Sequence, residues 1–149
     1  MPALTHNVLR TLFVAFAFAA QVLLVVNFAA RNWRPVLERR YGWVVYALGI
    51  PAALLAAILT VAHQPAYAAL ACVLYALWAA FGYYVDTYRQ LAWRQPTRWT
   101  ILLPYVLLFI ASQLAFWIPL WYVGLGYWVA YGALYVANTA LNLFSHRRA

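Results

Sequence analysis

Long apolar stretches alternate with short arginine-bearing ones along this chain, and the alternation predicts membrane-spanning helices. Five candidate spans emerge, at roughly 7–30, 41–62, 65–88, 99–117 and 119–144. At about 1.5 Å of rise per residue, each can cross a hydrocarbon core of ~30 Å. The last two are separated only by the kink-prone segment Trp117-Ile118-Pro119-Leu120-Trp121. Read as one helix, those roughly 46 residues would extend about 69 Å, far beyond what a bilayer requires. Pro119 is therefore expected to open the fifth span, where a first helical turn tolerates its missing donor. Pro65 after His63-Gln64 predicts a very tight turn that makes spans two and three antiparallel neighbours. Pro51 and Pro104 fall inside spans two and four, where kinks are expected. The fold expectation is all-α: a polytopic integral membrane protein with five transmembrane helices in a single domain over residues 1–149.

Charge gives the spans a direction. All ten basic residues are arginines, and nine of them fall in 31–40, 89–98 or the extreme C-terminus. With five spans these three regions share one face: Arg31, Arg34, Arg39 and Arg40, then Arg89, Arg94 and Arg98, then Arg147 and Arg148. Arg10 alone lies opposite. The positive-inside rule then places the N-terminus outside and the C-terminus in the cytoplasm. Trp33, Trp43, Trp93 and Trp99 would mark the inner interface and Trp117 and Trp121 the outer one, as aromatic belts. The formal charge of +8 is thus read as topology, with no nucleic-acid recognition motif beside it. Arg10, the apolar run and Ala17-Phe18-Ala19 imitate a cleavable signal, but the run continues to Ala30 and meets a positive cluster, which favours a retained span. The expected location is the cell (inner or plasma) membrane.

Small residues suggest packing faces. Ala52, Ala53, Ala56 and Ala57 in span two, and Ala68, Ala71, Ala76, Ala79, Ala80 and Gly82 in span three, allow close helix approach. Polar residues within the spans carry the sharper expectation. Tyr127, Tyr131, Tyr135, Asn138 and Asn142 recur at helical spacing on one face of span five, and Tyr75, Trp78, Gly82, Asp86 and Arg89 form a similar stripe on span three. Facing one another, these stripes would line a polar cytoplasmic pocket with Asp86 near its mouth. Equally, Asn138 and Asn142 could serve only as interhelical hydrogen-bonding glue. Gln21 in span one and Ser112 and Gln113 in span four are placed to touch across the membrane interior. The candidate pocket residues are Asp86, Arg89, Gln113, Tyr131, Tyr135, Asn138 and Asn142. Asp86, the acidic residue in or near a span, is expected to pair with Arg89 or with an arginine of the 31–40 connection, and Glu38 with its arginine neighbours.

Several chemistries are disfavoured. Cys72 is the single cysteine, so no intrachain disulfide or CxxC pair can form. His6 and His63 fall near the outer surface and His146 near the inner one, leaving no mid-membrane pair to clamp a haem. There is no HExxH, nucleophile elbow, phosphate-cradling loop or pair of carboxylates suited to acid and base roles. The eight tryptophans in outline resemble the tryptophan-rich sensory or translocator proteins, and Leu103-Pro104-Tyr105 is similar to part of their proline–tyrosine motif. That piece sits in span four, however, and Asn32-Trp33-Arg34-Pro35 lacks the family's longer tryptophan–proline pattern, so no ligand or function is carried over. A vitamin K epoxide reductase type enzyme would need cysteines that this chain does not have.

The expected function is that of a non-catalytic structural or accessory subunit of a larger membrane protein complex. The alternative is a binding protein or transporter for a hydrophobic or amphipathic small molecule such as a lipid, tetrapyrrole or carotenoid. No cofactor is predicted, although a bound lipid or pigment fits the pattern. Expected partners are membrane lipids and other integral membrane subunits, or further copies of this chain, and not nucleic acid.

Overall fold

The computed structural model describes residues 2–92 and 96–147, with side chains from His6 to Phe144. Trp93 of the expected inner belt, and Arg94 and Arg148 of the basic clusters, lie outside the described residues, as do the side chains of His146 and Arg147. Every regular element is helical among the described residues. The helices are α1 (Pro2–Trp33), α2 (Pro35–Tyr41), α3 (Trp43–Ala47), α4 (Gly49–Val61), α5 (Ala66–Gly82), a π-helical turn (Tyr83–Tyr88), α6 (Trp99–Val123) and α7 (Leu125–Arg147). Among the described residues four stretches are long and apolar enough to cross a membrane: His6–Trp33, Pro35–Val61, Ala66–Tyr88 and Trp99–Val123. The 23-residue α7 is long enough as well, but its tyrosines and asparagines keep it out of that set.

Two boundaries differ from expectation. Pro119 does not open the last helix; it lies within α6, and the chain breaks one turn later at Gly124. A helix in an apolar setting absorbs a proline when neighbouring groups re-satisfy the freed backbone, whereas glycine weakens helix wherever it stands. The 31–40 connection also shrinks, since α1 continues to Trp33 and α2 begins at Pro35. Pro51 and Pro104 do fall inside α4 and α6.

Contacts divide the chain into two compact units, one of Met1–Val45 with Trp117–Ala149, the other of Tyr46–Phe116. The second is built on the α4–α5 hairpin. Its turn closes as the sequence suggests: His63 takes a left-handed conformation (φ 51°), the Gln64 amide donates to Leu59 O at 2.9 Å and the His63 amide to Thr60 O at 3.1 Å. These bonds satisfy carbonyls that the end of α4 would leave unpaired. Gly49, Ala52 and Ala56 of α4, and Ala68, Ala71, Ala79 and Gly82 of α5, are buried, while Ala53, Ala57 and Ala80 are exposed. The anticipated small faces are thus narrower than drawn and include Gly49. A Cβ added to Gly49 would stand 2.8 Å from that of Ala79, so the antiparallel helices meet almost backbone to backbone there.

The first unit joins distant parts of the chain. Phe18 packs edge-on against Tyr127 and Tyr131, at 6.3 and 5.8 Å between centroids. Further along both helices, Asn32 Nδ2 donates to Leu141 O at 2.8 Å. Contacts that advance together along both helices mean that α1 and α7 run parallel. The end of α6 folds back on α7 around Gly124: Trp117 stacks on Trp128 at 5.1 Å, its indole N–H donates to Trp128 O at 2.9 Å, and its ring fills the space over Gly132. Any larger residue than glycine at 132 would collide with that indole.

Candidate functional site

In the Tyr46–Phe116 unit a carboxylate sits beside a cluster of rings. Gly82 gives Tyr46 room to lie on α5, since a Cβ at that position would strike the ring. Asp86 follows one helical turn later, and the Tyr46 hydroxyl donates to its Oδ2 at 2.6 Å. A second phenol, Tyr105 from α6, lies 3.2 Å from the Tyr46 oxygen. The chain carrying Asp86 has widened into a π-helical turn, with the Arg89 amide donating to Tyr84 O at 2.8 Å and the Leu91 amide to Val85 O at 3.0 Å. Such single turns recur at functional sites because they re-aim side chains out of α register.

Beneath the carboxylate lies Trp78, 1% exposed. Its ring is 5.6 Å from Tyr46, 5.4 Å from Tyr75, 5.7 Å from Tyr105 and 5.4 Å from Phe109, and Tyr75 in turn meets Phe116 at 6.1 Å. The rings fill one another's space in tilted and edge-on pairs, which favours a rigid cluster. The Trp78 indole N–H has no hydrogen-bond partner among the described residues. Ser112 and Gln113 are buried in the same unit; the Ser112 hydroxyl donates to Phe109 O at 2.8 Å, and Gln113 Nε2 approaches Ser112 Oγ at 3.4 Å. Chemically, the phenol-bound carboxylate can exchange a proton or balance a cation. Arg89 is exposed just past the π-helical turn.

Tyr75, Trp78, Gly82 and Asp86 of the span-three stripe therefore meet residues of their own unit, whereas Arg89 is exposed. Tyr46, a partner of Asp86 that sequence reasoning missed, lies forty positions away in the sequence. Its only advance signal was its place opposite Gly82 once the hairpin register is fixed.

In the other unit, the α7 stripe divides. Tyr131 is buried against Phe18; Tyr135 is half-buried and 5.7 Å from Trp117; Asn142 is half-buried, and Tyr127 is half exposed. Asn138 is fully buried, and so is Gln21 of α1. Neither side-chain amide has a hydrogen-bond partner among the described residues. A different face of α7 carries Gly126, Ala130, Ala133 and Ala137, all exposed, at spacings of four, three and four. No atom comes within 4 Å of where a Gly126 side chain would begin. At the start of this face Phe18, Gly124, Gly126, Tyr127 and Ala130 line a shallow apolar groove of about 490 Å³.

No protein family, curated protein or solved structure matches this chain.

Proposed function

We propose that the protein is a non-catalytic subunit of a larger membrane complex, crossing the cell membrane five times with its N-terminus outside and its C-terminus in the cytoplasm. The observation that carries this reading is the exposed Gly126/Ala130/Ala133/Ala137 face of α7. Lipid chains gain little from so small a surface, whereas a second helix gains close backbone approach, the means by which spans associate without a hydrophobic driving force. The same helix falls short of the apolarity of the other four, as suits a span with a protein neighbour. Support for five spans comes from the parallel course of α1 and α7, because the first and last spans share a direction only when their number is odd. The orientation follows from the distribution of arginines.

A second reading draws on the groove over Phe18 and Tyr127. Its volume of about 490 Å³ and apolar lining suit part of a lipid, tetrapyrrole or carotenoid. It includes Gly126 and Ala130, so a ligand there and a partner helix on the small face would compete. To separate the readings, Ala133→Cys would be made in a Cys72→Ser background and crosslinked in native membranes, and the complex mass and absorbance of the purified protein recorded. A crosslinked foreign subunit in fixed ratio supports the first reading. An uncrosslinked protomer carrying a stoichiometric lipid or pigment overturns it in favour of the second.

A further inference from the structure

The helix α2 buries none of its seven residues, yet it carries both apolar and cationic side chains. It opens the helical stretch Pro35–Val61, which is 27 residues long, whereas about 20 suffice to cross a hydrocarbon core. The surplus of roughly seven residues is α2 itself, which places it at headgroup depth when the rest of the stretch occupies the core. Glu38 is the one acidic residue of its unit, and it is already engaged: Arg31 donates to its Oε1 from Nη2 at 2.9 Å and from Nε at 3.2 Å. Arg31 is held further by the face of Phe28, 5.2 Å from the ring centroid. Arg34, Arg39 and Arg40 are exposed and make no ion pair among the described residues.

Helical geometry sorts these groups. With Glu38 turned to Arg31, the opposite side of α2 presents Val36 and Arg40, flanked by Arg39 and Leu37. Val36 is 77% exposed and Leu37 49%. Guanidinium forks thus stand beside an open apolar surface. We propose that α2 forms a binding site for an anionic phospholipid, Arg39 and Arg40 holding its phosphodiester and Val36 and Leu37 lying along its acyl chains. Arginine matches phosphate oxygens two at a time, and charge complementarity is left to the lipid because the acidic side chain of this unit, Glu38, is already paired with Arg31. A free phosphate would account for the arginines but not for the apolar residues among them. The inference rests on the apolar, membrane-spanning character of the helices and is independent of the number of spans or of a partner subunit.

The test places the full chain in discs of equal phosphatidylcholine and phosphatidylglycerol and measures, by native mass spectrometry after gentle extraction, which lipid stays bound. The wild type is expected to retain phosphatidylglycerol preferentially. Arg39→Gln with Arg40→Gln should reduce that retention on the order of tenfold, while Arg10→Gln, at the other end of α1, leaves it unchanged. Thermal unfolding of each variant checks that it is folded. Equal retention of the two lipids by the wild type overturns the proposal whether or not the variants fold. So does displacement of phosphatidylglycerol by inorganic phosphate alone, because the apolar contacts would then contribute nothing. Persistence of the lipid through salt and phosphate washes, lost only in the double variant, supports it.

Discussion

The α4–α5 hairpin and the α1–α7 pair solve the same packing problem by different means. The hairpin joins neighbours in sequence through a turn of a few residues, its helices come close enough for Gly49 to rest on Ala79, and Tyr46 of α3 lies over Gly82 of the same unit. The parallel pair joins helices from opposite ends of the chain, with the edges of Phe18, Tyr127 and Tyr131 and a side-chain bond from Asn32 among its contacts. Close backbone approach tolerates no added atom, whereas ring contacts leave room on the outer side of α7. The carboxylate of the hairpin unit is engaged by a phenol, while two buried amides of the other unit, on Gln21 and Asn138, have no hydrogen-bond partner among the described residues. The Tyr46–Phe116 unit thus closes Gly49 and Gly82 against neighbours, whereas the unit containing α7 leaves Gly126, Ala130, Ala133 and Ala137 exposed.

The contrast breaks most readily at the glycines. Gly82→Val should cost the hairpin about 1–3 kcal/mol through overpacking against Tyr46, read as a lowered unfolding midpoint in detergent. Gly126→Val, with open space around it, should leave that midpoint unchanged and instead weaken assembly of the proposed complex in native membranes. Equal loss of stability from both would remove the distinction between a closed and an open face.

Next in size is the effect of the polar groups. Tyr46→Phe removes the donor to Asp86 and should destabilise by about 2 kcal/mol. Asn138→Leu replaces an unpartnered buried amide by an apolar side chain of similar size and should stabilise the isolated protein by about 1 kcal/mol. A loss of stability from Asn138→Leu would mean that the amide is already engaged.

The smallest expected effect belongs to Asn32→Ala. Loss of its bond to Leu141 O should cost about 0.6 kcal/mol, the usual worth of a polar contact between membrane helices. Hydrogen exchange at the C-terminal end of α7 would resolve it, and unchanged protection there would show that the Asn32 bond contributes nothing to the parallel pair.

Much of this was legible in the residues. Apolar length identified the helices, and His63-Gln64-Pro65 marked the hairpin turn. The break between the last two helices was misplaced because Pro119 was read as a start, although an apolar helix can carry proline while glycine interrupts it. Periodicity grouped Asp86 with Trp78 and Gly82, but it says nothing about the neighbouring helix. Tyr46 and Tyr105 reach that carboxylate only through hairpin register and a π-helical turn, neither of which has a composition signal here. The small face of α7 went unremarked beside the tyrosine and asparagine stripe, because both have helical spacing and only burial tells them apart.

The single residue between α6 and α7 bears on how the chain enters a membrane during synthesis. An emerging α7 meets the translocation machinery with an energetic handicap, since asparagines and tyrosines make its transfer into lipid less favourable than that of its predecessor. Tethered to α6 by Gly124 alone, it need not enter unaided: Trp117 can cover Gly132 and donate to the Trp128 carbonyl as the pair forms. On the five-span reading proposed above, the two helices are expected to be released into the bilayer as one hairpin, so that the fate of α7 is decided by the apolarity of α6.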